Sequence, residues 1–190
     1  MKTGIFGGSF DPPHIGHLSI LKYCEKSFGL EKTIIVPTGI PPHKNVCKAS
    51  ARQRFEMCRL AFGDYIVSDY ETNKTEYSYS ADMLEYFKGI YPNDELYFII
   101  GGDSAAYIDE WNEPQRIFAA ANIIVAKRNA DDEKAIEEQE KRFGVKIYSA
   151  ENPLVDISST KIREKIKESG VVYGVTDAVK EYIIENNLYR

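Results

Sequence analysis

Two periodicities alternate along this chain. Thr3-Gly4-Ile5-Phe6, Thr33-Ile34-Ile35-Val36, Tyr65-Ile66-Val67, Leu96-Tyr97-Phe98-Ile99-Ile100, Asn122-Ile123-Ile124-Val125-Ala126 and Val145-Lys146-Ile147-Tyr148 are short β-rich runs. Between them apolar residues recur at helical spacing. Leu21, Cys24 and Phe28 share a face in His17 to Phe28, as do Phe55, Cys58 and Phe62 in Ala51 to Phe62. Met83, Leu84 and Phe87 face inward from a helix predicted over Ser80 to Tyr91. A charged helix is expected from Asp131 to Phe143, and two more from about Ser159 to Glu168 and Thr176 to Asn186. Continuous apolar strands separated by helices predict a parallel sheet covered on both faces. No repeat, low-complexity stretch or linker interrupts the rhythm. The expectation is one α/β domain over residues 1–190, doubly wound, with a helical C-terminal end.

Composition then narrows the function classes. A 43% apolar content supports a real core and argues against disorder. The 24 Lys and Arg against 29 Asp and Glu give a net charge of −5, which excludes a dedicated nucleic-acid binder. The charge is unevenly spread: residues 1–60 hold nine basic and four acidic side chains, together with all three histidines. Neither a signal peptide nor an apolar run of roughly 18 residues is found, so a cytoplasmic protein with no membrane partner is expected. Cys24, Cys47 and Cys58 are odd in number and form no CxxC pair, which reads as free thiols with a packing role.

In an open parallel sheet, ligands bind beyond the carboxyl ends of the strands. The loop after the first strand, Gly7 to His17, packs three glycines, two prolines and two histidines between a strand and a helix. Gly7 and Gly8 let backbone N–H groups approach a ligand that a Cβ would exclude. The helix starting near Gly16 points its positive end at the same place, favouring an anion. His14 and His17, three apart, can face one point there and stabilise charge growing on a phosphate. A lone HxxH would equally cap the helix or ligate a metal; the glycines and the strand–helix context favour phosphate. No P-loop, GxGxxG or GxSxG pattern is present.

The spacing GxFxxxHxGH, from Gly8 to His17, resembles the first signature of a nucleotidyltransferase superfamily that contains pantetheine-phosphate and pyridine-mononucleotide adenylyltransferases. The resemblance implies a Rossmann-like fold and transfer of AMP from ATP to a phosphate-bearing substrate, with release of pyrophosphate. Near the other end, Ile157-Ser158-Ser159-Thr160-Lys161-Ile162-Arg163 alone is an ordinary N-capped helix start with a surface arginine. It is similar to the superfamily's second signature, ISSTxIR, which implies contacts to the β- and γ-phosphates of ATP.

Three further segments resemble the bacterial nicotinate-mononucleotide adenylyltransferase branch. Pro41-Pro42-His43-Lys44 is either a solvated turn or a rigid loop presenting Lys44 to a phosphate. The branch's PPHK implies the second. Gly101-Gly102-Asp103 closes the strongest strand and allows Asp103 to accept from ribose hydroxyls. Trp111, the sole tryptophan, lies in a polar stretch, so it reads as an exposed platform for a flat ring, with core packing at a helix end as the alternative. The branch implies stacking on the pyridine. Ser78-Tyr79-Ser80 could offer hydroxyls and N–H groups to a carboxylate and is similar to the branch's SYT, with serine at 80 in place of threonine.

The resemblance thus implies ATP contacts at Gly7, Gly8, Ser9, Phe10, His17, Gly101, Asp103, Ile157, Ser158, Ser159, Thr160 and Arg163. Catalytic roles fall to His14, His17, Lys44 and Arg163; the nicotinate mononucleotide falls to Lys44, Tyr79, Ser80 and Trp111. Mg²⁺ is expected to arrive with ATP, since no carboxylate cluster forms a dedicated cage. The substrates are therefore small molecules, with no oligomeric state implied. Pantetheine-phosphate adenylyl transfer is the nearest rival, but that branch lacks the PPHK and GGD…W pieces. A non-catalytic nucleotide-binding regulator is the rival from another class, and intact His14, His17 and Arg163 speak against it.

Overall fold

The inner strands form where the β-branched and aromatic runs predict them, because those runs are buried on both faces. Ile34, Ile35 and Val36 are at most 1% exposed, and Ile123, Ile124 and Val125 are fully buried. The computed structural model describes residues 1–40, 47–127, 131–151 and 155–190. Its strands are β1 (Lys2–Gly8), β2 (Lys32–Pro37), β3 (Ile66–Val67), β4 (Glu95–Gly101), β5 (Asn122–Ala126) and β6 (Ile147–Ala150). They form one six-stranded sheet in the order β3-β2-β1-β4-β5-β6, the Rossmann arrangement, reversing direction of growth between β1 and β4.

The helices are α1 (Ile15–Phe28), α2 (Ala51–Phe62), α3 (Ser80–Ile90), α4 (Gly102–Ala105), α5 (Pro114–Ala120), α6 (Asp131–Phe143), α7 (Ser159–Ser169) and α8 (Asp177–Glu185). A 3₁₀ turn at Ile108–Glu110 lies between α4 and α5. Among these, α2, β5 and α6 coincide with the sequence expectation to the residue. The α4, 3₁₀ and α5 segments do not appear in it. They are too short to show a helical period, and α5 is entered through Glu113 in the left-handed region (φ 51°) just before Pro114. β6 lies two residues beyond the expected run, set by parallel pairing of Ile123 with Ile147 and Ala126 with Ala150.

The backbone separates into two compact units, with the division falling inside β1, α1 and β2 and in two connections. The first contains Met1–Gly7, Ile20–Ile34 and Tyr79–Pro153. In it β1, β4, β5 and β6 pair in parallel, aligning Ile5 with Phe98 and Phe98 with Ile123. Arg116 of α5 joins α3 by ion pairs to Asp82 at 2.9 Å and Glu85 at 2.6 Å.

The second unit contains Gly8–Ser19, Ile35–Ser78 and Leu154–Arg190. Its core is Ala49 and Met57 against Ile162, Ile166, Val172, Val179, Ile183 and Leu188, so α2, α7 and α8 share one apolar centre. Phe55, expected inward on α2, is only half-buried; Arg54 takes a buried place instead, 1% exposed. Cys24 and Cys58 are fully buried free thiols, as their helix faces predicted. Burial pushes the Cys24 thiol up to about 12 and Cys58 in the same direction, so neither is a nucleophile.

Candidate active site

The second unit brings most of the two signatures together. His14 precedes the first turn of α1 and is buried, while His17 is half-buried within that turn. Their rings stack with centroids 3.7 Å apart, rather than merely facing one point. The His14 backbone N–H donates to His17 Nδ1 at 3.1 Å. An accepting Nδ1 assigns the proton of the neutral ring to Nε2, which makes Nε2–H a hydrogen-bond donor.

Phe10 orients this pair. Its ring meets His17 edge-on at 5.0 Å and Phe62 edge-on at 5.6 Å. With 2% exposure its side chain is packing, which leaves the backbone as the part able to meet a nucleotide. Phe10 holds φ at +47°, a conformation that strains an L-residue by roughly 1–2 kcal/mol and persists because its ring is locked in place. A Cβ on Gly8 would lie 3.0 Å from that ring, tighter than usual contact.

Residues 9–12 form a hub of accepting groups. The Asp11 carboxylate, 5% exposed, accepts from Lys48 N–H at 2.7 Å, Ala49 N–H at 3.0 Å and the Tyr189 hydroxyl at 2.8 Å. Burial beside that carboxylate pushes the Tyr189 phenol far above its usual range, so it remains a donor. The Asp11 carbonyl accepts from Arg163 Nη1 at 2.7 Å, and the Pro12 carbonyl accepts from Ser159 Oγ at 2.8 Å. The Ser9 carbonyl accepts from Arg54 Nη1 at 2.8 Å.

The second signature opens α7. Ser158 is its N-cap, its Oγ accepting from Lys161 N–H at 3.2 Å. Thr160 is exposed, and its Oγ1 accepts from Arg163 Nη2 at 3.2 Å. Ile157 is half-buried: a Cβ on Gly16 would lie 3.0 Å from its Cγ2, and one on Gly174 would lie 1.8 Å from its Cδ1. The Ile15 N–H donates to the Gly174 carbonyl at 3.0 Å. His14, His17, the α7 N-terminus and Arg163 are thus tied to one short stretch of main chain. A helix N-terminus, an Nε2–H donor and a guanidinium are together suited to a polyanion.

The first unit carries the remaining candidates. Gly7 is half-buried at the end of β1, where a Cβ would meet the Phe98 ring at 2.9 Å. Gly101 ends β4, and Asp103 is exposed in the first turn of α4. Gly102 between them has no room for a side chain, since a Cβ would lie 2.1 Å from Asp132 Oδ2. Trp111 is half-buried, not an open platform; its ring meets Phe98 edge-on at 6.3 Å. That contact holds the indole by one edge. Tyr79 caps α3 without a side-chain bond, and Ser80 is its first residue. Lys44 lies outside the described residues.

Sequence reasoning missed Asp11, Arg54, Glu71 and Tyr189. Glu71 is 5% exposed, and its Oε2 accepts from Gly39 N–H at 3.2 Å. Burial raises its carboxyl to about 7, against lowering by the Gly39 N–H, Lys74, Ser78 and Arg54. Only Asp11 carried a signal, as the acid between Phe10 and Pro12 in the first loop.

Comparison with known proteins adds the following. Residues 5–165 match the cytidylyltransferase-like family model. The "Probable nicotinate-nucleotide adenylyltransferase" of Caldicellulosiruptor saccharolyticus is 39% identical, covering all of both chains. The protein of the same name from Clostridium botulinum is also 39% identical, covering all of this chain and 98% of that one. The nicotinic acid mononucleotide adenylyltransferase of Plasmodium falciparum, solved with NaAD, superposes with a TM-score of 0.80. That match covers 99% of this chain and 97% of the other at 22% identity, which shows a shared fold.

Proposed function

The chain belongs to the cytidylyltransferase-like family and, within it, to the nicotinate-nucleotide adenylyltransferases, and we infer that it joins AMP from ATP to nicotinate mononucleotide. The products are deamido-NAD and pyrophosphate, a step of NAD biosynthesis. In this reaction a 5′-phosphate oxygen of the mononucleotide attacks the α-phosphorus of ATP. The new O–P bond forms as the bond to the β-phosphate oxygen breaks, and pyrophosphate leaves with that electron pair. The nucleophile is already an anion, so catalysis needs no general base, only positioning and charge stabilisation.

The observation that carries the phosphate assignment is that Ser159 and Arg163 of α7 bond the Pro12 and Asp11 carbonyls, while the stacked His14–His17 pair meets Phe10 of the same stretch. On this reading His17 Nε2–H meets the α-phosphate as charge grows there, with His14 stacked beneath it. Ser158, Ser159, Thr160 and Arg163 grip the β- and γ-phosphates, and the backbone from Gly7 to Phe10, with Ile157, lies along the nucleotide. Lys44 bridges phosphates, as the branch resemblance implies. Gly101 and Asp103 serve the ribose; Tyr79, Ser80 and Trp111 receive the pyridine and its carboxylate. Magnesium enters as part of the substrate MgATP, bound through phosphate oxygens. Among the described residues no helix is long and apolar enough to cross a membrane. We assign the reaction to the cytoplasm, where ATP is available and the buried thiols stay reduced.

The test is pyrophosphate release from ATP with nicotinate or nicotinamide mononucleotide. The acid is expected to react faster, and equal rates would overturn the assignment to the acid. His17→Ala is expected to keep ATP binding while lowering turnover on the order of 10²-fold or more. An unchanged rate would remove His17 from the mechanism.

A further inference from the structure

Arg54 is a charged side chain 1% exposed, on a helix face otherwise lined by Met57, Cys58 and Phe62. Its guanidinium donates to three main-chain carbonyls: Ser9 at 2.8 Å through Nη1, Gly39 at 2.9 Å through Nη2 and Ala49 at 3.3 Å through Nε. Each belongs to a different stretch of the second unit: the loop after β1, the start of the connection that follows β2, and the residue before the α2 N-cap. A planar fork with five donors can hold three such carbonyls at once; an ammonium on a flexible stem cannot hold that arrangement.

Gly39 is gripped from both sides. Its carbonyl accepts from Arg54 while its N–H donates to Glu71 Oε2 at 3.2 Å, and a Cβ there would lie 2.2 Å from the Glu71 carbonyl oxygen. On the other side, Ser9 leads within three residues to the Asp11 carbonyl that accepts from Arg163 and the Pro12 carbonyl that accepts from Ser159. His14 follows two residues later. A burial this costly for a charge stands only because three carbonyls use it, and any shift of Ser9 moves the groups that hold α7 and Arg163 against the histidines.

We propose that Arg54 is a positioning residue for adenylyl transfer, fixing the Ser9–Pro12 main chain, and with it Arg163 and Ser159, against the Gly39 anchor. It touches neither substrate nor the reacting atoms and works through the hub it holds. The proposal rests on the adenylyltransferase reading above.

Arg54→Lys keeps the charge and loses the fork. With ATP and nicotinate mononucleotide, its kcat is expected to fall on the order of 10²-fold, because displacements near 1 Å at the reacting centre cost that much. The KM for each substrate should change far less, and the melting temperature should not account for the loss. A kcat within twofold of wild type overturns the proposal, as does a loss confined to KM. Should Arg54→Lys not fold, Glu71→Ala and Glu71→Gln carry the test at pH 8. Alanine releases Gly39 and is expected to lower kcat, while glutamine retains a side-chain oxygen for the Gly39 N–H and is expected to restore it. Equal kcat in the two overturns the proposal. A wild-type chain that releases no pyrophosphate with either mononucleotide contradicts the adenylyltransferase reading instead, so the two failures are distinct.

Discussion

Asp11 and Glu71 are both buried carboxyls held by main-chain N–H groups. Asp11 takes three short hydrogen bonds, from two backbone N–H groups and a phenol. Glu71 has the Gly39 N–H at 3.2 Å, with Lys74 and Arg54 as the charges facing it and Ser78 nearby, and burial still lifts it to about 7. A carboxyl raised from its ordinary 4.5 binds its proton more tightly folded than unfolded. Its contribution to stability is therefore complete below pH 4.5 and lost as pH rises through 7, by about 3 kcal/mol in all. Glu71→Gln is expected to flatten this slope: urea midpoints at pH 5 and pH 8 should converge on the variant and diverge on the wild type. Parallel behaviour would mean the carboxyl titrates normally. Neither Arg54 nor Glu71 was legible as a functional residue in the sequence. A polar side chain on an amphipathic helix or in a loop reads as solvated, and its burial is decided by distant main chain: the carbonyls of Ser9, Gly39 and Ala49 for Arg54, and the Gly39 N–H for Glu71. His14, His17 and Arg163 were legible because glycines and caps mark their surroundings locally.

The elements that could be read to the residue, α2, β5 and α6, carry their own boundary signals. Ser50 caps α2 with a capping box to Gln53, and three acidic residues open α6. The α4–α5 region has no such period, and the start of β6 follows only from its pairing with β5. A different constraint governs the connection between α7 and α8. Gly174 sits at φ +67°, its carbonyl accepts from the Ile15 N–H at the start of α1, and it leaves no space for a methyl beside Ile157. Gly174→Ala would add left-handed strain and a steric clash, a loss of about 3 kcal/mol in denaturant unfolding. A loss under about 1 kcal/mol would show that the connection rearranges freely.

At the scale of the molecule, the groups assigned to the triphosphate and those assigned to the pyridine fall mainly in different compact units. Binding of ATP at a hundred times its Kd adds about 2.7 kcal/mol to the folded state, a rise in Tm of roughly 5–11 °C for a chain of this size. Trp111→Ala is expected to keep that ATP-induced rise and lose the one produced by nicotinate mononucleotide. Loss of both would tie the indole to the fold rather than to the ring. The net charge of −5 argued against a dedicated nucleic-acid binder without locating the site; the basic first 60 residues held the histidines and Arg54, and Arg163 joins them from the acidic remainder. That joining spans 152 residues from Arg163 to Asp11 and 178 from Tyr189 to Asp11. A ribosome adding about 5–20 residues per second makes the residue 9–12 loop roughly 8–30 s before its anchoring arginine exists. Throughout that interval the growing chain carries both histidines but neither Arg163 nor the α7 N-terminus. On the proposed reading, every truncated product that stops short of α7 therefore lacks the groups assigned to the β- and γ-phosphates, and synthesis supplies that grip late.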